Sequence, residues 1–231
     1  MSDANSPAIE TRVFIGKVEQ IFGLTSAINK QQVTEPLFLS ELGLEGDECA
    51  EHKFHGGTER ALHHYPAEHY HFWQHQYAEP AEKWKAPGMG ENLSTLGMNE
   101  ENVCIGDRYQ WGEAIIEVSQ PRSPCYKLNQ RWEAVDVSVL MQQLSRCGWL
   151  YRVIKPGKIS FDSPLTLIER EESALTVKQV CELFFSDPLN QEGLLRLQGV
   201  KKLSQSWQNT VTKRLQTGEL ENWNYRLLGH A

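Results

Sequence analysis

The sequence predicts an α+β protein, with a β-rich main domain over residues 13–170 and a small three-helix domain over 171–231. Three observations carry this. Short runs rich in β-branched and aromatic residues, separated by Gly and Pro, fill the first part of the chain. After about residue 170 the texture changes to helical periodicity. The chain has 231 residues and is 40% hydrophobic, enough for a real core.

In chain order, residues 1–12 are polar, lack an apolar stretch, and read as a disordered tail rather than a secretory signal. Residues 13–21 read as a strand with Gly16 as a bulge, and 36–44 as a second extended stretch closing on a Gly43-x-x-Gly46-Asp47 turn. Residues 66–77 read as a helix with Pro66 in its first turn. The segment 78–101, broken by Pro80, Pro87, Gly88, Gly90 and Gly97, reads as loop. Residues 103–110 and 114–120 form a hairpin around Trp111-Gly112. Asp136 caps a helix running to about Arg146 and closed by Gly148. Residues 149–154 and 165–168 are short strands, and 176–186, 189–198 and 204–217 are the three helices, broken at Pro188 and Gly199. No internal repeat or low-complexity segment interrupts this order.

Composition excludes several functional classes. The net charge of −7 argues against broad nucleic-acid binding. Residues 199–211 can pass for a helix-turn-helix, but a compact helical domain gives the same pattern by packing alone. Residues 171–231 hold seven acidic and seven basic residues, so the first 170 carry the whole net charge. Apolar runs such as Ala114-Ile115-Ile116 are far too short to span a bilayer. The five cysteines (Cys49, Cys104, Cys125, Cys147, Cys181) are odd in number and include no C-x-x-C. A disulfide framework and a thiolate zinc site are therefore not expected, and a cytoplasmic location is.

One cysteine needs its own account. Residues 119–129, Ser-Gln-Pro-Arg-Ser-Pro-Cys-Tyr-Lys-Leu-Asn, leave a strand and enter a loop stiffened by Pro121 and Pro124. Such stiffening makes sense if the Cys125 sulfur must be placed accurately. Arg122 and Lys127 flank it, and nearby cations favour thiolate, a soft ligand suited to a redox-active metal. These local residues leave a functional and a structural cysteine equally open.

Two other segments carry polar chemistry. In Lys53-Phe54-His55-Gly56-Gly57-Thr58-Glu59-Arg60, paired glycines beside cations can form a nest of N–H groups for an anion, although an ordinary turn has the same pattern. It is not a Walker loop, since Gly-Lys-Ser/Thr is missing. Gly88-Met89-Gly90-Glu91-Asn92-Leu93-Ser94-Thr95 offers hydrogen bonds to a polar heterocycle, or is a solvated loop. Seven of the eight histidines lie between His52 and His75. His71 and His75 have the spacing of a helical metal pair, but Phe72 stands where H-E-x-x-H has its glutamate, and packing is the expected role.

Taken together, these blocks resemble the MOSC family, named for the C-terminal domain of molybdenum cofactor sulfurase. Gly43-Leu44-Glu45-Gly46-Asp47, Phe54-His55-Gly56-Gly57, Arg60-Ala61-Leu62, Gly90-Glu91-Asn92-Leu93-Ser94, Gly106-Asp107 and Pro121-Arg122-Ser123-Pro124-Cys125 occur in the family's order. The resemblance covers nearly the whole chain, the C-terminal helices included. It implies a β-barrel with peripheral helices, a molybdenum–molybdopterin cofactor (Moco) ending in a phosphate, and a cysteine ligand to the metal, which is Cys125 here. Lys53, His55, Gly56, Gly57 and Arg60 are then expected at the cofactor's anionic end, with Asn92, Ser94 and Arg122 as further contacts. Members of this kind reduce N-hydroxylated bases such as hydroxylaminopurine, a detoxification. The alternative is a cofactor carrier, or a sulfur-transfer protein with a persulfide on Cys125. The chain has no G-x-G-x-x-G for a flavin or nicotinamide, so a separate flavoprotein donor is expected. Its docking face would be the basic run Arg196, Lys201, Lys202, Lys213 and Arg214. No membrane partner is expected, and a homodimer is compatible with the sequence.

Overall fold

The first strand, β1 (Thr11–Ile15), ends at Gly16, where a Cβ would sit 2.6 Å from the Ala27 carbonyl oxygen. Only glycine fits that approach, so the expected single strand over 13–21 breaks there. The structure, a computed structural model, describes residues 11–51, 56–78 and 82–230. Thr11 and Arg12, expected in the tail, already belong to β1, while 1–10 lie outside the described residues.

A small hairpin follows, β2 (Glu19–Ile21) with β3 (Leu24–Ser26), and then β4 (Gln31–Val33) returns to pair with β1. The second extended stretch divides into β5 (Leu37–Ser40) and β6 (Gly43–Leu44). A 3-10 turn (Thr58–Arg60) leads into β7 (Leu62–Pro66), and helix α1 (His69–Gln76) follows. The stretch 78–101 is not all loop, because β8 (Leu93–Thr95) lies inside it. Strands β9 (Arg108–Trp111) and β10 (Ala114–Pro121) form the expected hairpin, with Trp111 opposite Ala114. The Cys125 loop then enters α2 (Lys127–Trp132) and α3 (Val137–Gln143). Asp136 precedes α3 as expected but makes no side-chain cap; its carboxylate accepts from the Tyr77 hydroxyl at 2.8 Å. Strands β11 (Trp149–Lys155), β12 (Gly157–Ile159) and β13 (Leu165–Glu169) complete the β-rich part.

The main sheet has eight strands in the order β13-β9-β10-β11-β7-β8-β1-β4, antiparallel except for the β7–β8 pair. Its edge strands β13 and β4 do not pair with each other, so the expected barrel is an open, curled half-barrel. Register shifts in the long β10–β11 ladder bend it. A three-stranded sheet, β12-β5-β6, lies beside it.

The C-terminal helices are α4 (Val177–Cys181), continued by a π-helical turn (Glu182–Ser186), α5 (Gln191–Gly199) and α6 (Gln205–Thr217). A further short helix, α7 (Asn224–Leu228), was not expected. Thr176 and Gln179 form a capping box that starts α4. These helices share one hydrophobic core with the sheet: Val118, Trp149 and Tyr151 pack in the same cluster as Val180, Phe184 and Trp207. The basic face expected on them is smaller than its sequence. Arg214 is buried and paired with Glu221 at 2.5 Å, and Lys202 reaches Glu117 at 3.3 Å. Arg196, Lys201 and Lys213 remain exposed.

Strand β7 carries His64 into the core. The ring lies 2.8 Å from Thr95 Oγ1, 3.1 Å from Tyr151 Oη and 4.4 Å from the Trp149 ring centre. Burial pushes its pKa down to about 3. Between about pH 6.5 and 3 the unfolded chain therefore binds a proton that the folded ring refuses, and stability falls as pH falls through that window. His64→Gln is expected to cost about 1–3 kcal/mol at pH 7 through the disturbed bonds, yet to lose less stability than the parent chain between pH 7 and pH 5. Urea midpoints at both pH values read this directly; equal losses in the two proteins would mean that His64 is not the group held neutral.

Candidate functional site

A cavity of about 980 Å3 opens where the sheet, the Cys125 loop and the C-terminal helices meet. Gly56, Gly57, Arg60, Asn92, Arg122 and Cys125, expected from separate parts of the sequence, all line it. Lys53 and His55 lie outside the described residues. Ser94 does not line the cavity. It is buried in β8, and its hydroxyl donates to the Tyr65 carbonyl at 3.0 Å, so it joins strands instead of facing a ligand.

Each wall has a local cause. Gly57 has φ +100°, a conformation that L side chains rarely adopt, and this lets the chain turn sharply into Thr58–Arg60. Arg60 there donates to Ser206 Oγ at 3.2 Å, linking the turn to α6. Burial lowers the Arg60 pKa, against the opposing charge of Glu59. Asn92 is held on three sides. Its Oδ1 accepts from the His63 amide at 3.1 Å, and its Nδ2 donates to Phe14 O at 3.2 Å and Asp47 Oδ2 at 2.8 Å. With both amide hydrogens committed, it shapes the cavity more than it offers itself to a ligand. Its neighbour Glu91 is fully buried, accepting from Tyr70 Oη at 2.7 Å and the Met89 amide at 3.0 Å; burial pushes its pKa up to about 7.

The Cys125 loop forms a further wall. Cys125 is buried to 7% exposure. The Arg122 amide donates to Gly148 O at 3.1 Å, tying the start of the loop to β11, and the Leu128 amide donates to Cys125 O at 3.1 Å as α2 begins. Of the cations expected to flank the sulfur, Lys127 is buried and bound to Glu51 at 2.9 Å, so its charge is matched. Arg122 differs: its Nη1 is buried with no hydrogen-bond partner. His63, which also lines the cavity, has a buried Nε2 without a partner. Burial, and after it the charge of Arg122, drives the His63 pKa well below its ordinary value, so the ring is neutral. Buried polar atoms are rarely left unpaired, and two on one cavity wall are what a polar or anionic occupant would satisfy.

Sequence reasoning missed His63, Lys30, Tyr225 and Arg226, all of which line this cavity. Lys30 pairs with Asp47, whose turn was legible, but nothing local marks its partner. His75 Nδ1 lies 2.6 Å from the His71 carbonyl oxygen on the same helix. Among the described residues no cluster of three or more His, Cys, Asp or Glu could hold a metal, and no helix is long and apolar enough to cross a membrane.

Known proteins resemble this chain in sequence and fold. A family model described as the MOSC domain matches residues 51–166, and one described as the YiiM-like, 3-alpha helix domain matches 175–218. Residues 219–231 lie outside both. Protein YiiM of Escherichia coli (strain K12) is 49% identical over 94% of this chain and 97% of its own. A protein of Gibberella moniliformis named "Reductase" is 42% identical over 68% of this chain but only 28% of its own. The crystal structure of YiiM from Escherichia coli superposes with a TM-score of 0.84, at 42% identity, over 97% of this chain and all of that one (100%).

The packing assigns different roles to Ser94 and Asn92. Ser94→Ala should lower the melting temperature by roughly 2–4 °C, the effect of one lost hydrogen bond. Asn92→Ala, which strands the His63 amide, should cost about 2–3 kcal/mol. Differential scanning calorimetry checks both, and an unchanged melting temperature in Ser94→Ala would mean that its hydroxyl does not join the strands.

Proposed function

The chain belongs to the MOSC family, in its YiiM branch, and on that premise we propose that it is a molybdenum-cofactor-dependent oxidoreductase that reduces N-hydroxylated bases such as hydroxylaminopurine to amines. The observation that carries the reading is the convergence on one cavity wall of Cys125 with the unpartnered Arg122 Nη1 and His63 Nε2. The donor set fits the group. A soft sulfur suits molybdenum, and a guanidinium hydrogen suits the oxygens of an anionic pterin.

In this reading Cys125 holds the metal, while Gly56, Gly57, Arg60 and Arg122 hold the anionic end, with Lys53 and His55 retained as proposals from sequence. Asn92 fixes the wall between them. The bound cofactor supplies a two-electron reduction in which N–OH becomes N–H and, with two protons taken up, water leaves. The protein orients cofactor and base, and Met89 and Trp207 keep part of the cavity wall apolar. A separate flavoprotein is the proposed source of electrons. Its docking face is now restricted to Arg196, Lys201 and Lys213, since Lys202 and Arg214 serve internal ion pairs.

Cys125→Ser is expected to fold normally and lose N-hydroxy reductase activity by at least about 100-fold, because a hydroxyl replaces a soft ligand. Serine at Cys49, Cys104, Cys147 or Cys181 should change stability only. Arg60→Ala and Arg122→Ala should lower pterin per protein in material made where the cofactor is available. Full activity in Cys125→Ser would sink the metal-ligand reading; a fully loaded parent protein without turnover would favour the carrier. For the donor, reversing Arg196, Lys201 and Lys213 to Glu should slow turnover with a protein donor at low salt but not with a small reductant. Equal rates from both electron sources would remove these residues from docking.

A further inference from the structure

Cys125 sits between two prolines' worth of stiffened chain and α2, yet neither alone determines where its sulfur points. The two peptide groups that flank it are both held by one residue 101 positions later in the sequence. Arg226 Nη1 donates to the Pro124 carbonyl at 2.5 Å, and the Tyr126 amide donates to the Arg226 carbonyl at 2.8 Å. The second arm of the guanidinium donates to Gln142 Oε1 on α3 at 2.6 Å. Arg226 itself lines the cavity beside Cys125.

We propose that Arg226 is a positioning residue that clamps the peptide groups on either side of Cys125 and so fixes the direction of its Sγ into the cavity. This rests on the reading of Cys125 as the metal ligand. The fork of arginine is what the geometry uses. One planar group spans two neutral acceptors on different elements, which a lysine with a single nitrogen does not reproduce. The helix that carries Arg226 has its own attachment, because Leu227 O accepts from Asn129 Nδ2 at 3.1 Å and from Ser138 Oγ at 2.7 Å. Removing the guanidinium therefore leaves α7 docked, and a variant tests positioning separately from folding. Arg226 lies beyond both family-matched segments, while the peptide groups it holds lie within the first.

The test uses holoprotein of the parent chain and of Arg226→Gln, Arg226→Lys and Cys125→Ser. Four quantities are read: melting temperature, pterin per protein, sulfur neighbours of molybdenum by X-ray absorption, and kcat and KM for an N-hydroxylated base. Groups that orient metal ligands typically matter by 10- to 100-fold. Arg226→Gln and Arg226→Lys should both lower kcat by about 10- to 100-fold with KM and pterin content nearly unchanged. Their sulfur shell should be depleted or broadened. Parent-like kcat and sulfur shell in Arg226→Gln would overturn the clamp. So would full rescue by Arg226→Lys, which would leave only a charge effect, or a loss of pterin in step with melting temperature, which would mean packing alone. If Cys125→Ser keeps the parent's sulfur count, the ligand reading itself fails, and that result is distinct from any behaviour of the Arg226 variants.

Discussion

The cavity depends on one buried polar node, the contact of Asn92 with Asp47. Asn92 joins the amide of His63 on β7 to the carbonyl of Phe14 on β1, and Asp47 takes the Gly16 amide at 2.7 Å together with Lys30. Five segments, around Phe14–Gly16, Lys30, Asp47, His63 and Asn92, are thus joined in one network. In a low-dielectric interior a network of this kind is favourable only if complete, since each unpaired member costs about as much as a full desolvation. Here every bond of the Asn92 amide nitrogen is made. The node leaves no freedom for the glycine turn or the Met89–Asn92 segment to slump into the space between them, which is why a cavity persists there at all.

A second constraint joins the helices to the sheet. Glu117 on β10 is almost fully buried and meets Arg108 and Arg152, each at 2.6 Å, as well as Lys202 from the helical domain. Burial alone pushes its carboxyl up, but these cations together hold it below the ordinary carboxylate range. Arg152 also reaches Glu59 at 2.6 Å, in the turn that ends at Arg60. The Ser204 amide donates to Ser119 O at 2.9 Å, and Ser119 Oγ donates to Glu59 O at 2.6 Å. The helical domain is therefore wired to the Thr58–Arg60 turn through β10, and the two parts share one hydrophobic core.

What was legible in the sequence follows from how local each cause is. The β9–β10 hairpin was readable because alternation and Gly112 act within ten residues or so, and the three long helices because periodicity does. Strand β7 was not readable. Leu-His-His-Tyr-Pro looks like the approach to a helix, and its two histidines disguise five consecutive buried positions. Their partners are distant in sequence: Thr95 and Tyr151 lie in other strands, and Asn92 just before β8. Strand β8 is three residues long and is specified by pairing with β1 and β7 rather than by propensity. The same division runs through the site. The Cys125 loop announces itself through its prolines, and the glycine turn through its paired glycines. His63 and Arg226 enter by tertiary packing alone, and Ser94 looked like a ligand residue only because the strand that buries it was unseen.

The charge distribution inside the cavity differs from that of the chain as a whole. The molecule carries −7 overall, which at long range repels anions. Within the cavity the balance is different. Lys30 and Lys127 are neutralised by Asp47 and Glu51, so two of the cations that sequence composition would count contribute little. Arg226 makes its side-chain bonds to the neutral acceptors Pro124 O and Gln142 Oε1, and Arg122 keeps an unpartnered buried nitrogen. Positive charge without a bonded carboxylate thus lies at the Cys125 end, on side chains that are themselves largely buried, where a charge is felt more strongly than in water. Burial keeps His63 neutral, and the charge of Arg122 beside it acts in the same direction. Local field and global charge thus have opposite signs at this end of the cavity.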